Sequence, residues 1–157
     1  MSLVRIEGYF VTNNVTSKNT RFTKKCIRDI YAQIKKKETK LMLNHSDIVI
    51  GELVACSIDK KGLRGGFVLY PDHPLYFKIV SGIAFKIFKG LSILRYDRNT
   101  LKKGEIENIN EVNLINIGLV KSPNNKECLI SNISRERALD FLIEDINKLT
   151  SIKMKGG

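Results

Sequence analysis

The chain has 157 residues, 43% of them hydrophobic, and a formal net charge of +11 at pH 7. This length suits one folded domain, which we expect over residues 1–152, with a frayed tail at 153–157. No apolar run approaches the roughly 20 residues that span a bilayer, and the first residues lack the pattern of a secretory signal. We therefore expect a soluble domain that stays inside a cell and does not engage a membrane.

The spacing of cysteines and lysines limits the classes of function. Cys26, Cys56 and Cys128 lie far apart, without a Cys-x-x-Cys pair, which argues against a disulfide framework or a zinc site. The lysines are spread over several segments and do not alternate with arginines and aromatic residues as in many nucleic-acid sites. The positive charge predicts attraction to polyanions or acidic protein segments, without choosing between them.

The first half of the chain predicts four strands and one helix. A helix is expected at 23–37, because apolar residues recur at helical spacing from Cys26 to Ile34. A loop is expected at 13–20. The β-rich runs predict strands at 3–12, 41–43, 49–58 and 63–70.

The second half predicts two helices and four strands. Helical spacing from Leu75 continues to Lys89, and Gly90 is the expected residue after the helix end. Strands are predicted at 91–95, 104–112, 113–120 and 127–130, and a last helix begins after a cap at Ser134. The order of elements favours an α+β fold, with a mainly antiparallel, barrel-like sheet and about three packed helices.

Ser92 and His45 are the candidates for nucleophilic catalysis. A serine hydroxyl needs an imidazole within reach to take its proton, and a third group that orients the ring. The pair alone is a weak signal, because a lone histidine is often structural and no Gly-x-Ser-x-Gly elbow is present. Cys56 and Cys128 are weaker candidates, because nothing near them in the sequence would lower a thiol pKa.

Five short segments, taken in order, carry a resemblance to a known family. They are Glu7-Gly8-Tyr9-Phe10; Leu41 to His45 with Ile50-Gly51; Gly62-Leu63; Gly90-Leu91-Ser92-Ile93; and Leu114 to Val120 with Pro123-Asn124. Together they resemble the prohead proteases of tailed viruses, which are related to the herpesvirus assembly proteases. The resemblance covers residues 5–126 and depends on the order of the segments, since each one is short and apolar.

The resemblance implies a herpesvirus-protease-like fold and a serine endopeptidase that cleaves scaffold and capsid proteins during capsid assembly. Ser92 would be the nucleophile and His45 the general base, with no metal or cofactor. The implied place of action is the immature capsid in the host cytoplasm. A homodimer is expected by analogy with the herpesvirus relatives, and nucleic acid is compatible with the charge but not required.

The third catalytic residue stays open at this stage. Where the family commonly has an acidic residue in its last strand, this chain has Asn116, and Gly118 replaces the usual serine. Asn116 ranks first, because an asparagine can orient an imidazole. Glu111 ranks second and requires a shifted strand register. His73, which precedes Ser92, ranks third.

The departure at Asn116 keeps two other interpretations open. An amide cannot stabilise an imidazolium with a full charge, so one alternative is a catalytically impaired or non-enzymatic basic module that binds nucleic acid or a capsid or scaffold protein. The other is an unrelated α+β domain. Under the protease interpretation, Lys121 is a candidate to assist the oxyanion region.

Overall fold

The computed structural model describes residues 4–133, which contain eight strands and two helices. No helix in this part of the chain is long and apolar enough to cross a membrane. In chain order the elements are β1 (Arg5–Thr12), β2 (Thr20–Phe22), α1 (Lys24–Lys36), β3 (Lys40–Leu43), β4 (Val49–Ile58), β5 (Gly62–Leu69), α2 (Tyr76–Ala84), β6 (Gly90–Lys103), β7 (Ile106–Val120) and β8 (Ile130–Ile133). The helix predicted after Ser134 lies outside the described residues.

All eight strands belong to one sheet, in which β7 has the most neighbours. β6 pairs antiparallel along one edge of β7, while β2 and β3 pair in parallel with the two ends of its other edge. From β3 the sheet continues through β4, β5 and β1 to β8 in antiparallel pairs. A bridge between Gly90 of β6 and Leu129 joins the two ends of the sheet. The sheet therefore curls like a barrel.

The sheet corrects three sequence predictions. It is mixed rather than simply antiparallel, because β2 and β3 run parallel to β7. The strands predicted at 104–112 and 113–120 are one continuous strand, and Gly104, with a φ of 64°, lies in the turn before it. Pairing with β6, through three register shifts, overrides the low β-propensity of the asparagines in this stretch. The last predicted strand begins at Ile130 instead of 127.

α2 is shorter than its sequence pattern predicts. The helix ends at Ala84, after which Lys86 takes a left-handed φ of 60° and the Ile87 N–H donates to the Gly82 C=O at 2.7 Å. This is the hydrogen bond of a Schellman motif. The Phe88 ring then packs over Gly82, where a β-carbon would lie 2.6 Å from it. Gly90 is therefore the first residue of β6 and not the helix cap that the sequence predicted.

α1 packs its apolar face against the inner side of the sheet. The Thr23 hydroxyl caps the helix by accepting the Cys26 N–H at 3.2 Å. Cys26, Ile27 and Ile30 then enter the hydrophobic core, which also contains Ile117 of β7.

The alternation of side chains decides which residues are left outside this core. Ile117 and Leu119 of β7 face inward and are fully buried. Successive strand residues point to opposite faces, so Asn116 and Gly118 lie on the outer face. On β6 the same alternation buries Leu91 and Ile93 in the core, and Ser92 faces outward.

Two isoleucines of β7 provide a matched test of this arrangement. Ile117 is 0% exposed and Ile115 is 56% exposed. Ile115 is the extra residue at the register shift between the Leu94–Asn116 and Arg95–Leu114 pairs, where the alternation of faces is interrupted. We expect Ile117→Ala to lower the free energy of unfolding by about 2–5 kcal/mol, because it leaves a core cavity. Ile115→Ala should lower it by less than about 1 kcal/mol. Urea unfolding monitored by circular dichroism measures both values, and equal losses would contradict the assigned faces of β7.

Candidate active site

His45 lies in the turn that connects β3 to β4. The Ser46 N–H and hydroxyl both donate to the Leu43 C=O, at 3.2 and 2.5 Å. Asn44 takes a left-handed φ of 53°, and its N–H donates to the Leu119 C=O of β7 at 2.8 Å. These bonds close the turn and attach it to the end of β7. The exposed side chain of His45 is thereby held against that strand.

The His45 ring rests on Gly118. A β-carbon at this position would lie 2.9 Å from Cε1 and 3.0 Å from Nδ1 of the ring, and 2.4 Å from the Asn44 carbonyl oxygen. Real β-carbons essentially never approach other heavy atoms below 3.0 Å. The departure from the family serine, visible in the sequence, therefore has a steric reason: only glycine leaves room for the ring and the turn.

Ser92 lies directly opposite Gly118 in the ladder between β6 and β7. Paired residues point to the same face, with β-carbons about 4.5–5.5 Å apart. Adding the distance from Gly118 to the ring places the Ser92 β-carbon within roughly 9 Å of the His45 Nδ1. No hydrogen bond joins these two described side chains; catalytic hydrogen bonds in unliganded sites are often long and tighten only with substrate.

Asn116 presents an unused acceptor on the same face. It lies two residues before Gly118, about 7 Å along the strand. Its Oδ1 is buried and has no hydrogen-bond partner among the described residues. A buried acceptor without a partner costs about 1–3 kcal/mol. An imidazole N–H is the kind of donor that would satisfy it.

Glu111 and His73 make contacts elsewhere in the structure. Glu111 lies seven residues before Gly118 on β7, roughly 20 Å away along the strand. It forms an ion pair with Lys25 of α1 at 2.9 Å, and this hydrogen bond lowers the pKa of the Glu111 carboxyl. The Nδ1 atom of His73 accepts the Leu75 N–H at 3.0 Å, at the start of α2.

Cys56 and Cys128 are poor nucleophiles. Burial raises the pKa of Cys56 to about 11 and that of Cys128 to about 12. Both thiols are therefore protonated at neutral pH, whereas a reactive cysteine needs a lowered pKa. Among residues 4–133, no three His, Cys, Asp or Glu side chains gather closely enough to hold a metal ion.

A cavity of about 220 Å³ opens beside Ser92, and we name it the Ser92 cavity. The Leu91 N–H donates to the Cys128 C=O at 2.9 Å; beyond this bond, within the described chain, β6 pairs only with β7. Among residues 4–133, one edge of β6 from Ser92 onward therefore has no pairing strand, and this edge borders the cavity. The sequence did not reveal this cavity, because four separate segments form it: β1, the loop before β2 together with β2, β6 itself, and the turn after β7.

Herpesvirus proteases are among the solved structures with a similar fold. The KSHV protease in complex with a hexapeptide phosphonate inhibitor matches with a TM-score of 0.52 and 8% identity, over 82% of this chain and 64% of its own. The varicella-zoster virus protease has a TM-score of 0.42 and 14% identity, over 72% and 58%. The chain thus spans less than two thirds of either relative. The likeness to the first shows a shared fold; no curated protein matches the chain.

A family model gives the more direct relationship. The model described as caudovirus prohead serine protease matches residues 2–140. This range covers most of the chain, including His45, Ser92 and Asn116. The resemblance found in the sequence is confirmed, and the chain belongs to the caudovirus prohead serine protease family.

Proposed function

We propose that this protein is a serine endopeptidase that cleaves scaffold and capsid proteins inside the viral procapsid. One observation carries the proposal: the His45 ring rests on Gly118, directly across the ladder from Ser92. Family membership supports the same chemistry. Capsid and scaffold proteins would be its substrates, while a homodimer and a role for nucleic acid stay predictions.

In this proposal Ser92 and His45 perform the acyl transfer. The imidazole takes the proton from the Ser92 hydroxyl as its oxygen attacks a peptide carbonyl, and returns that proton to the leaving amine. A water molecule, deprotonated by the same ring, then releases the acyl-enzyme. The exposed Lys121 directly follows β7, and its assistance at the oxyanion region stays a prediction.

Asn116 is the proposed positioning residue. Its buried Oδ1 would accept the N–H on the far side of the His45 ring and hold the tautomer whose other nitrogen faces Ser92. A neutral amide orients the ring without offering a full charge to the imidazolium. We therefore expect a slower enzyme than one with a carboxylate in the same place.

The first test removes the proposed nucleophile and base. Co-expression with the neighbouring capsid and scaffold proteins should give discrete products, and Ser92→Ala and His45→Ala should each abolish them. The double variant should be no worse than either, because the two residues act as one unit. Intact-mass spectrometry measures the products.

Ser57→Ala, which alters an exposed serine of β4, is the matched control and should cleave like wild type. Products that persist with Ser92→Ala would show that the nucleophile lies elsewhere. A non-enzymatic binding module would give no products from any of these proteins.

The second test fills the space under the ring. We expect Gly118→Ala to reduce cleavage about a hundredfold, because a β-carbon there displaces His45 and misplacement of about 1 Å can cost that much. The rate is measured with the co-expressed substrates after the fold is checked by circular dichroism.

Gly104→Ala is the control for a general glycine effect. A β-carbon at this turn meets no atom within 4 Å, although the φ of 64° is left-handed. It should cost about 1 kcal/mol of stability and leave cleavage unchanged. Full activity of Gly118→Ala would contradict the proposed position of the ring.

The third test examines Asn116. Asn116→Ala should lower the cleavage rate by at least about tenfold, because an unoriented imidazole is a weaker base. Asn116→Asp should restore activity and move the acidic limb of the pH–rate profile to higher pH, since a carboxylate favours the protonated ring. The exposed Asn113 of the same strand supplies the control, Asn113→Ala. An unchanged rate and pH profile in both Asn116 variants would exclude the positioning role.

A further inference from the structure

The Ser92 cavity has a positively charged lining. Two of its lining residues are basic, Lys18 and Arg95, and none is acidic. Lys18 is exposed and forms no ion pair with any described residue. Arg95 donates through Nε to Asp97 at 2.8 Å, and its guanidinium lies 4.8 Å from the centre of the Phe22 ring. A guanidinium has five N–H donors, so this one contact leaves Arg95 able to bind a second carboxylate.

The wall that carries Lys18 is held in place by its own hydrogen bonds. The Thr16 N–H donates to the Thr20 C=O at 2.8 Å, and the Asn19 N–H to the Thr16 C=O at 3.1 Å. The Ser17 hydroxyl donates across to the Asn124 C=O at 3.0 Å. The loop before β2 and the turn after β7 therefore form one preorganised wall, and preorganised groups lose less entropy when they bind.

The free edge of β6 gives the direction in which a substrate would cross this cavity. The segment at Leu129 already pairs antiparallel with Gly90, so the edge is occupied up to Leu91. An extended peptide can add to the exposed part of such an edge. In the same antiparallel sense, residues N-terminal to the bond at Ser92 would run past Ile93 towards Arg95. Their side chains would then face Lys18 and Arg95.

We infer that the Ser92 cavity selects substrates with an aspartate or glutamate among the few residues N-terminal to the cleaved bond, and that Lys18 and Arg95 determine this specificity. The inference rests on the proposed function of Ser92. The cavity is large enough for a substrate side chain, and it has apolar atoms from Phe22 beside its two cations. A carboxylate on a short apolar stem matches this combination.

A pool of synthetic peptides of diverse sequence tests the specificity. Cleaved bonds, identified by mass spectrometry, should be enriched in Asp or Glu at one position N-terminal to the cleavage. For a cleaved peptide and its partner with Gln in place of that Glu, kcat/KM should favour Glu about three- to tenfold. Lys18→Glu should remove or reverse this preference. Lys78→Glu makes the same charge change on α2, away from the cavity, and should retain it.

The outcomes separate this inference from the proposed function. If wild type cleaves through Ser92 but prefers basic or aliphatic residues, or if the acidic preference survives both Lys18→Glu and Arg95→Gln, the specificity assignment is wrong and the protease proposal stands. If the wild-type protein cleaves no peptide, the proposed protease function is contradicted, and the specificity inference needs a separate test. Binding to the Ser92→Ala protein then decides: the Glu peptide should bind more tightly than its Gln partner, and equal binding overturns the inference.

Discussion

The close approach of Gly118 to the turn at His45 is the contact on which the candidate site depends. β7 pairs with β6 on one edge and with β3 on the other, so three segments distant in the sequence meet at one residue of this strand. Ser92 of β6 lies on one side of Gly118, and the turn after β3 lies on the other. Because Gly118 has no side chain, the imidazole can rest directly on this strand. A β-carbon would separate the groups that the sheet brings together.

This arrangement sacrifices some stability. Asn44 has a left-handed φ, and Asn116 has a buried acceptor without a partner among the described residues. A sheet selected only for stability would have apolar or fully hydrogen-bonded groups at these places. Departures of this kind are expected where a chain is selected for chemistry. The interior contrasts with this face, since the core beneath β7 is formed by fully buried apolar residues such as Ile117 and Leu119.

The sequence predicted those strands and helices that have a local pattern of apolar residues. Apolar periodicity located β1, β4, β5 and α1 within a few residues, because each of these elements has its own alternating or helical pattern. The periodicity did not predict that β7 is one continuous strand or that β2 and β3 pair with it in parallel, since both features depend on pairing between distant segments. In the sequence, Gly118 was visible only as a departure from the expected serine. The reason for the glycine became clear only from the position of the His45 ring in the structure. The Ser92 cavity had no signal in the sequence, because its walls come from four separate segments.

The amide at position 116 has a consequence for how such an enzyme would work. In the proposed mechanism the asparagine would position the imidazole without neutralising the charge that the ring gains, so the chemical step would be slower than with a carboxylate. Under the proposed function, protease and substrate would share the small volume of the procapsid, which favours saturation of the enzyme. Tighter uniform binding gains nothing under saturation, and the Ser92 cavity would then serve to choose the bond that is cut. Under the proposed function, a slow chemical step is therefore compatible with selective cleavage, because the cavity acts on the choice of bond and not on the rate of the chemical step.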